Sequence, residues 1–510
     1  MAEPARIIRE SQKYNPGIVA LRFLTTRINF VTGSDNILTL WRSKDLDAKV
    51  VTAFSLSWFF ATPKNSMNIY ETDDSGINPK PHPASIGIEV KNRYYYQNRK
   101  AIVGFFNGTG LKSMAGRFSL LLGREINNMD LGSEWIPCKD LYRFIQDLVI
   151  GPAVESMCGP VLLDQNPNFG NDLWQLDEDI YYFFKGYPKW LVPAAFQNRS
   201  KLLNGMKMWH RYARDNFDES SIESDDHDRF YGSPLIRARQ EYLSNFNEMD
   251  DDALASQDLG LLWAENGNSI PAIFWMMYEA LQRPDVLAKA LEEVMASDYS
   301  SSLNSNPLIN SEALCNMPFL QSMYAETLRL YTSLFTIRSA THGNFDIANF
   351  TIPRNEIIAV DSHVSGRDSR IWNTGSTESA GAGPHPLDQF WAERFLIFPN
   401  DPESGPLRAK SLRRGPSLST STPRNESGGP YFSLDGLAGA WTPYGGGNRQ
   451  CPGRNFAKQE IILGFAIVFS MLDVELTGPN EEPVKPDMKF YGLGTLPPKA
   501  KVPFRLRRRV

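Results

Sequence analysis

The stretch YGGGNRQCPG, residues 444–453, decides how this 510-residue chain is read. Three consecutive glycines, Gly445, Gly446 and Gly447, let the backbone take positive φ and approach a flat partner closely. Cys451 follows at the tip of that turn. Pro452 and Gly453 then lead into an apolar segment that reads as a helix over 456–472. Amides at a helix N-terminus stabilise a thiolate, which makes Cys451 a candidate metal ligand. Arg449, two residues earlier, is placed to pair with a carboxylate on whatever lies against the loop. Glycines beside one cysteine would describe an ordinary buried turn. The ordered run of aromatic ring, glycine, arginine, cysteine and glycine is what sets this one apart.

Working outward, residues 318–331 (PFLQSMYAETLRLY) read as a helix with Pro318 in its first turn. Glu326 and Arg329 share a face at i, i+3 and sit among apolar residues, where charges need partners. Residues 385–395 (HPLDQFWAERF) bring a third charged group, Arg394. Residues 251–281 read as a long helix, apolar on nearly every face and therefore buried, stopping ahead of Pro284. Within it stands AENGNSIPA, residues 264–272. Pro271 has no N–H, so the carbonyl of Gly267 loses its helical partner and a local kink is expected. Short strands are expected near 336–340 and 357–360.

Residues 251–472 together resemble the cytochrome P-450 family. The cysteine loop is similar to its signature F-x-x-G-x-R-x-C-x-G, with Tyr444 in place of the usual Phe, then Gly447, Arg449, Cys451 and Gly453. Glu326 and Arg329 match its E-x-x-R motif, and Arg394 the arginine that completes that network, with Ala392 where a proline is usual. In the long helix the family has A-G-x-D/E-T; Glu265, Asn266, Asn268 and Ser269 occupy those positions. The resemblance implies a mainly α fold with a small β portion, a triangular helical domain around a buried haem. It implies one catalytic domain over residues 1–510. The implied cofactor is haem b with Cys451 as axial thiolate, cradled by Tyr444, Gly447, Arg449 and Gly453. Arg338 is expected either on a haem propionate or on the surface, and Lys112 or Arg117 on a propionate. Ser269 keeps the hydroxyl used in proton delivery, and Asn268, which is no acid, is expected to order a water. The N-S-x-P pattern resembles the branch of sterol 7α-hydroxylases and prostacyclin synthase.

The implied activity is that of a monooxygenase. It inserts one atom of O2 into a hydrophobic small molecule, with electrons from an NADPH-cytochrome P-450 reductase. The segments around 372–395 resemble fungal members of secondary-metabolite pathways. The alternative is a haem-thiolate isomerase or dehydratase that rearranges a peroxide without external electrons. A haem-binding protein without catalysis is a third reading.

The rest of the chain sets bounds. A formal charge of −5 and a pI near 5.8 exclude the basic footprint of a nucleic-acid binder. The four cysteines form no C-x-x-C pair, which argues against a disulfide framework or zinc site and for a reducing compartment. No signal peptide or membrane-spanning stretch is expected. By resemblance the protein works at the cytosolic side of the endoplasmic reticulum. Residues 181–196 (YYFFKGYPKWLVPAAF) suit either a peripheral membrane contact or core packing. Residues 53–61 are too short to span and read as a buried strand or helix. Residues 374–386 and 400–436 read as mobile loops, and the acidic run 219–228 and the terminal RLRRRV as solvated.

Overall fold

Asp250 caps the longest helix, Asp251–Leu281, accepting the Ala253 amide at 2.9 Å, and Asp251 and Asp252 add negative charge to its first turn. The helix runs unbroken across Pro271, and nearly all of its second half is buried. In this computed structural model the described residues are 17–23, 26–297, 311–375, 384–408, 428–478 and 482–509.

The long helix is buried because other helices surround it. It packs against Leu141–Cys158, Pro193–Asn216, Pro318–Tyr331 and Arg454–Met471. Trp275 fixes one contact. Its ring stacks on Tyr331 at 3.8 Å between centroids, and its N–H donates to the Leu496 carbonyl at 2.7 Å. One large cluster of buried side chains joins these helices to Tyr94–Phe106 and Thr109–Asn127.

The β portion is small. A mixed six-stranded sheet starts from the hairpin Ile18–Phe23 and Thr26–Val31. Thr26–Val31 runs parallel to Ile357–Asp361, which is antiparallel to Thr332–Ala340; Leu493–Thr495 and Leu46–Asp47 pair with that last strand. In this register Arg338 faces Ile358. The β-branched content of Thr332–Ala340 suits a pleated, half-buried strand.

The long helix and Pro318–Tyr331 have their expected bounds, and the third runs from Arg454 to Met471, two residues earlier than expected. The Arg338 strand begins at Thr332 rather than 336, and residues 53–58 belong to the helix Lys49–Trp58. Of the two stretches read as loops, 376–383 and 409–427 lie outside the described residues. Beside them, Tyr431–Phe432 pairs with Leu396–Ile397, and Leu407 is buried. The acidic run 219–228 also departs from expectation. Asp225 and Glu223 bind Arg117, and buried Asp228 accepts the Phe230 and Tyr231 amides, each at 2.7 Å. Sequence shows the negative charge of that run but not the arginine waiting for it.

Candidate active site

A cavity of about 490 Å³ lies between the long helix and the cysteine loop. Ala264, Glu265, Asn268 and Ser269 line one wall; Tyr444, Gly445, Arg449, Cys451 and Gly453 line another. Apolar side chains such as Ile102, Phe106, Leu334, Phe335 and Ile461 complete it.

The cysteine loop owes its shape to glycine at two positions. Gly445 and Gly447 both have φ of +66°, and a Cβ on Gly447 would lie 2.2 Å from the Trp41 carbonyl oxygen. The loop is thus pressed against the helix Ser34–Arg42. It closes on itself where the Cys451 amide donates to the Tyr444 carbonyl at 3.0 Å. The hydroxyl of Tyr444, the departure from Phe, pairs with that of Tyr324 at 2.8 Å, so the extra oxygen is satisfied inside the core. Cys451 is exposed by surface area although protein surrounds it densely, because that surface is cavity wall. Burial raises its thiol pKa, and the amides of Gly453 and Arg454 with the charges of Arg454 and Arg99 oppose the rise.

Two guanidinium groups flank the loop with no carboxylate among the described residues hydrogen-bonded to them. Arg338 donates to the carbonyls of Ile337, at 2.8 Å, and Arg449, at 3.3 Å, and lies over the Trp41 ring. Arg449 lies over the Tyr95 ring at 6.0 Å. Burial lowers the pKa of both, Arg338 to about 10. Buried cations bonded only to carbonyls and rings leave room for an anion. Arg99 joins them: burial, then Arg449 and Arg454, lower its pKa, and Cys451 raises it. Sequence reading passed over Arg99, although Tyr95 and Arg99 stand four apart on one helix face and both act on Arg449. Lys112 and Arg117 do not reach this cavity. Lys112 is exposed in a separate cleft with Ser224 and Asp225, and Arg117 is taken by Asp225 and Glu223. A tetrapyrrole fits these residues: a largely apolar cavity, a thiol on one wall, and arginines that no carboxylate among the described residues hydrogen-bonds, left for its own carboxylates.

Glu326 has no exposed surface and accepts from Arg329 at 2.7 and 2.8 Å and from Arg394 at 3.0 and 3.1 Å. Arg329 also donates to the Gly366 and Leu387 carbonyls, and Arg394 to that of Asn373. Burial alone would raise the Glu326 pKa, but the two guanidinium charges hold it down to about 2.

In the long helix, Ser269 donates to the Glu265 carbonyl at 2.8 Å. Asn268 departs from its expected part: its side-chain oxygen accepts the Thr495 amide at 2.9 Å and so is held by the sheet. Gly267 faces Asp177, a carboxyl raised to about 7 by burial, which accepts the Trp263 indole N–H at 2.8 Å. Glu460, on the cysteine helix, also lines the cavity, and its mark in the sequence is a charge at the head of the apolar run 461–469.

The family model described as Cytochrome P-450 matches residues 166–376 and 433–504. Cytochrome P-450 monooxygenase fsoE of Humicola fuscoatra is 36% identical over 425 residues, covering 81% of this chain and 70% of that one. Cytochrome P-450 monooxygenase efuG of Hormonema carpetanum is 34% identical, covering 81% and 72%. The crystal structure of a cytochrome P-450 superposes with a TM-score of 0.63 at 16% identity, over 100% of this chain and 95% of that one, and shows the fold. The chain therefore belongs to the cytochrome P-450 family, as a haem b-dependent monooxygenase that uses O2 on a small molecule.

Proposed function

We propose that Cys451 is the axial ligand of the haem and that Arg338 and Arg449 hold its propionates, with Tyr444, Gly447 and Gly453 shaping the loop beneath. The cavity that brings Cys451 opposite Ser269 is the observation that carries this reading. When bound, a haem with an axial thiolate supplies the activation of O2. The apolar side chains orient the substrate and exclude water; the loop amides of Gly453 and Arg454 stabilise the thiolate; the Ser269 hydroxyl passes protons. Arg99 takes the place first given to Lys112.

The substrate on this reading is a hydrophobic small molecule of fungal secondary metabolism, since relatives in Humicola fuscoatra, Hormonema carpetanum and Penicillium decumbens are named monooxygenases. Similarity to a cholesterol 7-alpha-monooxygenase of Cricetulus griseus, 27% identical over 66% of this chain, is in keeping with a bulky apolar substrate. Electrons come from an NADPH-cytochrome P-450 reductase, and residues 1–510 act as one catalytic domain. No helix among the described residues is long and apolar enough to cross a membrane. Contact with the endoplasmic reticulum would run through Trp58, Trp190 and Leu191, which are 48%, 80% and 49% exposed. The peroxide isomerase was suggested by Asn268 and by the N-S-x-P pattern, and the Asn268 side-chain oxygen is taken by the Thr495 amide.

The carbon monoxide difference spectrum of the reduced protein tests the ligand. A red-shifted Soret band is expected in the wild type and not in Cys451→Ser; an unchanged band in the variant would sink the assignment. Product formation that requires NADPH and reductase supports the monooxygenase, whereas turnover of a peroxide without them supports the isomerase.

A further inference from the structure

Glu265 stands in the middle of the long helix and lines the cavity without a partner suited to a charge. One of its carboxyl oxygens has no hydrogen-bond partner among the described residues. The other receives only a long 3.4 Å contact from the Asn266 amide. Glu326, equally enclosed, is held by two guanidinium groups instead. Burial, and then the charge of Glu460, raise the Glu265 pKa well above the ordinary carboxyl range, and no cation among the described residues offsets the rise. That favours the neutral carboxyl, a group that both donates and accepts. Protein surrounds Glu265 densely, yet it keeps some accessible surface, and that surface is cavity wall. Glu460 lines the same cavity but has no exposed surface, so a ligand cannot lie against it in the same way.

Asn268 stands three residues further on, on the same face of the helix, and also lines the cavity with some surface accessible. Its side-chain oxygen is taken by the Thr495 amide, while its amide nitrogen has no partner among the described residues. A polar group left without a partner inside a protein destabilises the fold, so two such groups on one helix face call for a ligand. Ile102, Phe106, Leu334 and Phe335 give the cavity an apolar lining, and in such a pocket a few placed polar groups fix the orientation of what binds. We propose that Glu265 and Asn268 are the specificity-determining polar anchor of the cavity, and that the substrate is an uncharged, otherwise apolar molecule whose hydroxyl or carbonyl group docks against them. A hydroxyl donates to the Glu265 carboxyl and accepts from the Asn268 N–H. A carbonyl accepts from the Glu265 O–H and the Asn268 N–H. A carboxylate is disfavoured on this wall, because Arg338 and Arg449 are taken by the haem and Glu265 and Glu460 offer no cation.

The proposal rests on the haem-thiolate reading, and its test separates the two. Equilibrium dialysis of the haem-loaded protein against radiolabelled 1-decanol, decane and decanoate reads the anchor without turnover. Glu265→Leu and Glu265→Met should each bind 1-decanol about tenfold more weakly than the wild type, and decane as tightly or more tightly. Glu265→Gln keeps the size and the hydrogen bonding and should keep the affinity for 1-decanol. Decanoate should bind the wild type more weakly than 1-decanol does. The reduced carbon monoxide band should be that of the wild type in all three variants. The proposal is overturned by equal 1-decanol affinity in the wild type and both apolar variants, by a wild type that binds no 1-decanol, or by tighter binding of decanoate than of 1-decanol. Loss of the band in both apolar variants would make the carboxyl a part of the fold and overturn it as well. A wild type without the red-shifted Soret band would overturn the haem reading itself.

Discussion

Glu326 is a carboxylate between two guanidinium groups, all three without exposed surface on their side chains. Taking away one member leaves an uncompensated charge in the core. Arg394→Ala should therefore destabilise the protein by about 3–5 kcal/mol, read from chemical denaturation. The pH dependence follows from direction. Glu326 has a folded pKa near 2, below its ordinary 4.5, so its stabilisation is present above pH 4.5 and is lost as the pH falls towards 2. Acid titration of the melting temperature should show this slope, and Glu326→Gln should lack it. Glu460 has the opposite sign. Its folded pKa is raised to about 8, so ionisation opposes folding as the pH rises from 4.5 through 8. Glu460→Gln should gain stability over the wild type across that range, by at least about 1.4 kcal/mol at pH 8, the equivalent of one pKa unit. An equal melting temperature at pH 5 and pH 8 for the pair would contradict the raised pKa.

At the level of elements, the cysteine loop and the long helix are held by close backbone approaches. Gly447 has a positive φ and abuts the Trp41 carbonyl, so Gly447→Ala meets backbone strain and a clash together. Haem content per chain, measured by absorbance, should fall by well over half, whereas Gly343→Ala, with no positive φ and open space around its Cβ, should keep it. The strand Leu493–Thr495 approaches the long helix in the same manner, since a Cβ on Gly494 would lie 2.2 Å from the Asn268 side-chain oxygen. Asn268 is therefore a joint between helix and sheet. Asn268→Ala leaves the Thr495 amide unpaired and should cost about 1–3 kcal/mol in denaturant titrations.

Over the whole molecule, the exposed aromatics gather where two elements meet. Phe54 stands 6.2 Å from Trp58 and 6.4 Å from Phe184, and Arg199 donates to the Trp58 carbonyl at 2.6 Å, so the helix Lys49–Trp58 adjoins both Phe169–Phe184 and Pro193–Asn216. Residues 181–196 are part core and part surface. Phe183 is buried in the core, while Trp190 and Leu191 face outward beside Lys185 and Lys189. Trp190→Ser with Leu191→Ser should weaken partition onto phosphatidylserine-containing vesicles by about tenfold or more, measured by sedimentation, without changing the haem spectrum. Unchanged partition would rule this surface out.

Local patterns settled a good part of this protein. Chain-local chemistry made the cysteine loop legible: glycines permit positive φ, and the spacing of Tyr444, Gly447, Arg449, Cys451 and Gly453 is a property of ten consecutive residues. Apolar runs bounded by Pro284 and Pro318 likewise marked the two helices, because periodicity and capping act within a few turns. Pairing across the fold was a different matter. Arg117 turned to Asp225, Arg99 to the cysteine loop, Asn268 to Thr495, and Glu460 to the same cavity as Glu265. Each of these partners lies far away in sequence. Charge and burial act through space, so only the packed helices determine which buried groups find a partner and which are left facing the cavity.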